Sequence, residues 1–326
     1  MKIFFKFFGL IALCATAFAS CQKEPFNEEI QTSEAPEAGG TRASYSHQVV
    51  LMTYNIEHFG FNATTEPQIL ANMDNIAALI AQNASLNPRT FISFNEVDYK
   101  TNRTYQQDQL YLFYYKLHDL TNYSWHKKFG KAITFQGGQY GNGVVYNESS
   151  SNVTQTLTYT LSNHGYKKDD GGNEETRNAT VVETNECVFI ATHLGLSKKM
   201  RQRNLLDLDA WLKSRYSHSS KPVFVCGDFN SNYKVAEDKQ LIDNLVAGKY
   251  TNPETGATVN GSAWKILSNT TDATFYKGGR VLDYILQWRG NIATNQAHIA
   301  KIISNQNFSN YNYSDHKLVM AKVGWN

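Results

Sequence analysis

The chain is 326 residues long, 41% hydrophobic and 13% aromatic, with 31 basic and 29 acidic side chains. That apolar content is ample for a packed core and excludes an intrinsically disordered protein. The near balance of charge excludes a globally basic protein built to coat a polyanion.

The first twenty residues read as a secretory signal. Lys2 and Lys6 flank and interrupt an apolar run, Ile3 to Phe18, that is too short and wrongly flanked for a membrane span. The run ends in FASC, with small residues before Cys21, and this resembles a bacterial lipoprotein cleavage site. The resemblance implies an exported protein held to the outer membrane of the cell envelope by lipid on Cys21, on its periplasmic or surface face. A plain signal peptide with an incidental cysteine is the other reading. Residues 21–46, rich in Glu, Pro, Gly and Ser without an apolar period, read as a flexible tether, so the folded domain is expected at 47–326. Removing Lys2 and Lys6 with the signal leaves 29 basic side chains against 29 acidic ones.

From Val49 onward the pattern alternates between strand and helix. Residues 49–57, VVLMTYNIE, are strand-like, and 66–83 place Ile69, Met73, Ile76, Ala77 and Ile80 at helical spacing. A strand is expected at 90–98, then a helix at 107–120 with Leu110, Phe113, Tyr114 and Leu117 on one face. Strands follow at 125–135, 143–147, 153–160, 178–184 and 186–192, with a mixed-charge hairpin, HGYKKDDGGNEETR, inserted among them as a solvated tip. A helix at 198–215, a strand at 223–226 and a helix at 237–246 come next, and strands at 271–276, 281–288, 295–303 and 316–324 complete the chain. Cys187 and Cys226 lie in apolar runs and read as buried thiols, and no Cys or His cluster has zinc-ligand spacing. Mixed strands with helices arriving singly and in pairs predict an α+β (α/β) sandwich of four layers, two packed mixed β-sheets flanked by helices.

Six of the strands carry a polar group at an edge or within. Asn55 and Glu57 close the first, Asn95 and Glu96 the second, His193 ends CVFIATHL, and Asp228 and Asn230 end VFVCGDFN. Asp283 interrupts RVLDYILQW, and Asp315 with His316 precedes KLVMAKVGW. Any one of these has an ordinary explanation as a turn, cap or hydrogen-bonded core residue. Their joint occurrence predicts that the strand ends converge on an oxygen-lined pocket with two imidazoles. Carboxylate and amide oxygens suit magnesium, manganese or calcium. A carboxylate at Asp283 can lock His316 in one tautomer and stabilise its imidazolium. Metal-assisted hydrolysis of a phosphate ester is the reaction class that needs such a set.

TYNIE, FNEVD, YGNGVVYN, ATHLGLS with RQRN, GDFNSN, VLDYIL and SDHKLV occur in the order found in the endonuclease/exonuclease/phosphatase superfamily, and over about 48–325 the chain resembles its members. The resemblance implies a deoxyribonuclease I-like fold. It implies Glu96 as principal metal ligand, with Asn55 and Asp315 lining the same site, and Asp228 as the group that orients or deprotonates the attacking water. It implies Asn230 and His193 on the scissile phosphate, and His316 with Asp283 as a pair acting as base or stabiliser. Asn95 stands where many members have glutamine. Tyr140, Asn142 and Arg177 are expected to bind substrate, although Tyr140 and Asn142 beside Gly141 and Gly143 also make an ordinary turn.

Core motifs do not choose between phosphodiesters and phosphomonoesters. With phosphodiesters preferred, one reading is an exported nuclease using basic clusters at Lys127, Lys128 and Lys131 and at Lys198, Lys199, Arg201 and Arg203, although the second cluster also reads as a polar helix face. Another is a sphingolipid or phospholipid phosphodiesterase, or a sugar or inositol phosphatase, working beside the membrane that anchors it. A third, of a different class, is a catalytically inactive binding module. A monomer is expected in each case.

Overall fold

The structure, a computed structural model, describes residues 45–291, 299–308 and 312–326. Strand β1 (His47–Asn55) leads through α1 (Glu66–Asn83) into β2 (Arg89–Tyr99), which lies parallel to β1. After α2 (Gln109–Thr121) come four strands, β3 (His126–Phe135), β4 (Gly138–Tyr146), β5 (Val153–Leu161) and β6 (Arg177–Thr184). Strand β7 (Val188–His193) then leads through α3 (Lys198–Tyr216) into β8 (Val223–Asp228), again in parallel. Next come α4 (Ala236–Val246) and the short strands β9 (Lys249–Thr251), β10 (Thr258–Asn260) and β11 (Trp264–Ile266). The chain closes with β12 (Asp283–Trp288), β13 (Lys301–Asn307) and β14 (Val319–Trp325).

Two six-stranded sheets result, ordered β13-β14-β1-β2-β4-β3 and β11-β12-β8-β7-β6-β5. In each, the parallel pair is central and antiparallel strands flank it. A parallel pair needs a long crossover, and α1 and α3 supply it. Period-two alternation then assigns the faces. Val49 and Leu51 of β1, Phe189 and Ala191 of β7, and Phe224 and Cys226 of β8 fill the space between the sheets. Val50, Met52 and Tyr54 pack under α1 and α2, while Ile190, Val223 and Val225 pack under α3 and α4. These are the four layers expected, and Cys187 and Cys226 are buried free thiols.

Helix α1 keeps its expected bounds because Thr65 and Gln68 form a capping box and its five periodic apolar residues are all buried. The strand expected at 271–276 does not form. Its backbone is spent on two different partners: Thr274 and Phe275 donate to the Arg280 carbonyl, and Tyr276 donates to the Asp315 carbonyl. The edge of β12 is taken instead by β11. Of the strand expected at 295–303, residues 295–298 lie outside the described residues and the strand begins at Lys301. Cys21 and the tether also lie outside them.

Candidate active site

Parallel register brings strand ends level. Asn55 of β1 lies opposite Asn95 of β2, and His193 of β7 lies opposite Asp228 of β8. Antiparallel β12 enters the sheet where β8 leaves it, so Asp283 also lies opposite Asp228. At this end the apolar layer between the sheets gives way to polar cross-ties. The Asn95 carboxamide donates to Asn142 Oδ1 (2.9 Å) and the Thr192 carbonyl (2.8 Å), and its oxygen accepts from the Asp228 backbone N–H (2.9 Å). Ser93 donates across the same interface to the Cys226 carbonyl (3.1 Å). The two sheets are thereby fastened where the functional groups emerge.

A cavity of about 310 Å³ opens there, lined by Glu96, Tyr140, Arg177, His193, Asp228, Asn230, Asp315 and His316 among others. Eight of the expected site residues therefore share one cleft. Asp283 stands behind it, fully buried, and accepts from His316 Nδ1 at 2.8 Å. His316 Nε2 and His193 Nε2 each lie 3.6 Å from Asp228 Oδ2.

Burial alone would lower the His316 pKa, but the Asp283 charge and hydrogen bond, helped by Asp228 and Asp315, push it up to about 10. Asp228 is pushed up to about 7 by burial and by the charge of Asp283, against the pull of His316. His193 is held well below the usual imidazole range by burial and by the nearby charges of Arg177 and His316. It is neutral, and its Nε2 accepts from Asn230 Nδ2 at 3.1 Å. The second Asn230 amide hydrogen goes to the Leu194 carbonyl (3.0 Å). Both are committed, so in this arrangement Asn230 orients His193 rather than donating to a phosphate.

Two further expectations change. Asn55 Oδ1 accepts from the Glu57 backbone N–H (3.1 Å), which fixes its amide so that Nδ2 bridges Glu96 (3.0 Å) and Asp228 (3.2 Å). Asn55 therefore holds two carboxylates together and turns its NH2, not its oxygen, toward them. Asn142 does not line the cleft: it is buried between the sheets, accepting from Asn95 and donating to Asn178 Oδ1 (2.8 Å). The packing of β8 on β7 requires glycine at position 227, since a Cβ there would stand 1.7 Å from the Thr192 carbonyl oxygen.

Residues outside the expected set complete the cleft. Arg280 and Phe275 come from the loop before β12, while Glu175 and Leu196 come from the hairpin before β6 and the turn after β7. Phe275 sets its ring edge-on to His316 at 4.8 Å. Glu57 adds a carboxylate beside Glu96 and Asp315. Burial and those two charges push it up to about 7, and its Oε2 is buried without a partner. Burial likewise raises Glu96 and Asp315. Three crowded carboxyls and an orphaned oxygen fit a hard divalent cation. Asp228, Asp283 and His316 also bring donor atoms within 4.8 Å of one another, but the Asp283–His316 bond already occupies one donor of each.

Three of the four basic residues clustered on α3 are ion-paired, Lys198 with Glu237, Arg201 with Asp238 and Arg203 with Asp207, and Lys199 is exposed. In the stretch 110–125, Leu110, Phe113, Leu117 and Trp125 are buried, while Tyr111, Tyr115 and Leu120 are exposed.

The model of the Endonuclease/Exonuclease/phosphatase family matches residues 52–316. No curated protein sequence is significantly similar to the chain. Solved structures share its fold at low identity. An endonuclease/exonuclease/phosphatase from Beutenbergia cavernae is 16% identical with a TM-score of 0.61, over 86% of this chain and 72% of that one. ANGEL2, a 2′,3′-cyclic phosphatase, is 13% identical with a TM-score of 0.56, over 86% and 96%. A mannosyl-6-phosphatase from Bacteroides thetaiotaomicron is 12% identical with a TM-score of 0.51, over 85% and 100%. The matched segment runs from the first central strand to His316 and contains every residue that lines the cleft, and the chain belongs to the endonuclease/exonuclease/phosphatase family.

Proposed function

We propose that the chain is an exported, divalent-metal-dependent phosphoesterase that cleaves phosphate esters, phosphodiesters among them, by direct attack of water on phosphorus. The observation that carries this reading is the buried Asp283–His316 pair aimed at Asp228 in a cleft shared with Glu96, His193 and Arg177. Asp228 takes the proton of the attacking water, a task suited to a carboxylate whose pKa lies near neutrality. Asn230 keeps His193 turned toward Asp228. His316, protonated at neutral pH and held by Asp283, faces the charge that builds on the phosphate oxygens and acts as stabiliser rather than base. Glu96, Asp315 and Glu57 are the oxygen donors that would hold magnesium, manganese or calcium. Bound there, the ion supplies Lewis-acid neutralisation of phosphate charge.

Two neighbours in fold, a 2′,3′-cyclic phosphatase and a mannosyl-6-phosphatase, support phosphate esters as substrates. The ion pairing of Lys198, Arg201 and Arg203 weighs against a nuclease that would follow a phosphate backbone with α3, because three of that cluster's four cations are already engaged. A sphingolipid or phospholipid headgroup remains the alternative among substrates. The signal-like N-terminus and Cys21 support lipid attachment at the outer membrane, and the chain is read as a monomer.

Purified protein should hydrolyse bis(p-nitrophenyl) phosphate or p-nitrophenyl phosphate in magnesium or manganese and stop on addition of EDTA. Activity that survives the chelator rejects the metal requirement, and silence on both esters in magnesium, manganese and calcium alike rejects the enzyme. Labelled palmitate should enter the exported protein and not a Cys21→Ala variant; equal labelling of both would remove the anchor.

A further inference from the structure

The hydrogen bond that orients His316 joins two sheets. Asp283 is the first residue of β12, in the sheet built on β7 and β8, whereas His316 lies just before β14, in the sheet built on β1 and β2. A separation of 2.8 Å across that junction is kept only if both sides are gripped. On the β14 side, Ser314 donates to the Asn55 carbonyl (2.6 Å) and its hydroxyl oxygen accepts from the His316 backbone N–H (3.2 Å), which ties the loop to the end of β1.

The other grip comes from residues 274–276, part of the segment whose pattern predicts a strand. Thr274 is fully buried. Its hydroxyl oxygen accepts from the backbone N–H groups of Leu282 (2.9 Å) and Asp283 (3.1 Å), and its carbonyl accepts from the Lys317 backbone N–H (2.7 Å). One residue thus holds the backbone of Asp283 with its side chain and the backbone beside His316 with its main chain. Phe275 lies opposite His316 in an antiparallel bridge with its ring edge-on to the imidazole, and the Tyr276 N–H donates to the Asp315 carbonyl (3.0 Å).

The shape of this site would suit valine as well as threonine. A hydroxyl at a fully buried position is costly unless it is hydrogen-bonded, and this one takes two backbone donors. Asp283 has no comparable anchor on its carboxylate, since Oδ2 goes to His316 and Oδ1 has no partner. The carboxylate is therefore aimed through its backbone. Groups that must stay within about 0.5 Å of a productive geometry depend on such supporting contacts.

We propose that Thr274 is a positioning residue, clipping β12 to the loop before β14 so that the Asp283–His316 hydrogen bond, and with it turnover, is kept. The inference rests on the phosphoesterase reading and names what holds its central pair together.

The test compares Thr274→Val, which keeps the branched shape and deletes the hydroxyl, with Thr274→Ser, which keeps the hydroxyl. In saturating magnesium, kcat on p-nitrophenyl esters should fall roughly tenfold or more in the valine variant with KM little changed, the scale of one or two hydrogen bonds, and the serine variant should recover to within about threefold of wild type. Proton NMR at one neutral pH separates positioning from a merely structural role. The downfield Nδ1–H resonance of His316, assigned by its absence from His316→Gln, should move or vanish in Thr274→Val and return in Thr274→Ser. Wild-type kcat in the valine variant, an unmoved resonance, or a serine variant as impaired as the valine one overturns the inference. If the valine variant does not fold, hydrogen exchange on wild type decides. The amides of Leu282 and Lys317, both donated to Thr274, should exchange far more slowly than exposed loop amides, and exchange at loop rates refutes the clip. Resonance and exchange are read without turnover, so an absence of hydrolysis would reject the phosphoesterase reading while these still decide the role of Thr274.

Discussion

Asp283→Asn isolates the charge behind His316 with almost no change of shape. Asp283 is fully buried, its Oδ2 accepts from His316 Nδ1 at 2.8 Å, and its Oδ1 has no partner. In the variant the amide oxygen still accepts from Nδ1–H, and the amide NH2 replaces an oxygen that was already unpaired, so packing is preserved. What is lost is the charge that overcomes burial. The His316 rise from 6.5 to about 10 corresponds to at most on the order of 5 kcal/mol of preference for the imidazolium. A charge-assisted hydrogen bond contributes about 1.5–3 kcal/mol, so kcat should fall roughly 10- to 150-fold with little change in KM. The basic limb of the pH–kcat profile should move down, since burial then dominates the ring. The sign for stability follows from a raised folded pKa. The contribution of His316 is fully present below about pH 6.5 and is lost as pH rises toward 10, and the variant lacks that loss. Stopped-flow or plate hydrolysis from pH 5 to 10, with urea midpoints over the same range, reads both effects. A variant within threefold of wild type in kcat, with an unshifted basic limb, would refute the assignment of His316 as a protonated stabiliser.

Asn95→Ala removes two cross-sheet hydrogen bonds, to the Thr192 carbonyl and from the Asp228 N–H, together with one to Asn142 within the first sheet, and leaves the Thr192 carbonyl and the Asp228 N–H without these partners. It should cost on the order of 3 kcal/mol in urea unfolding and also lower kcat, because Asp228 loses its anchor; a cost below about 1 kcal/mol would show that the cross-tie is not what holds the sheets at this end. Gly227→Ala places a methyl 1.7 Å from the Thr192 carbonyl oxygen. Insoluble protein or a loss above roughly 3 kcal/mol is expected, on the scale of a strained core, and an unchanged Tm would contradict the parallel β7–β8 register.

The polar residues that end apolar strands were legible without coordinates, since Glu96, His193, Asp228 and His316 interrupt β-branched runs that otherwise read as core. The fold class was legible for a related reason, because period-two and period-3.6 patterns record which face of each element is buried. The roles of amides were not legible. Asn55, Asn142 and Asn230 have donors and acceptors at both ends, and only the neighbours in space decide which is spent: Glu57 turns Asn55, Asn178 captures Asn142, and Leu194 with His193 takes Asn230.

By itself, the sequence determined the alternation of apolar faces, the two crossover helices and the polar groups that terminate the central strands. Only the tertiary structure decided that Arg280, Phe275, Glu175 and Leu196 wall the cleft, that Lys198, Arg201 and Arg203 of α3 are ion-paired, and that Arg177 is buried with an unused N–H. Periodicity is a local property written along one element. A wall made by a loop before β12 and a hairpin before β6 depends on which strands become neighbours, and that is settled by packing between segments far apart in the chain.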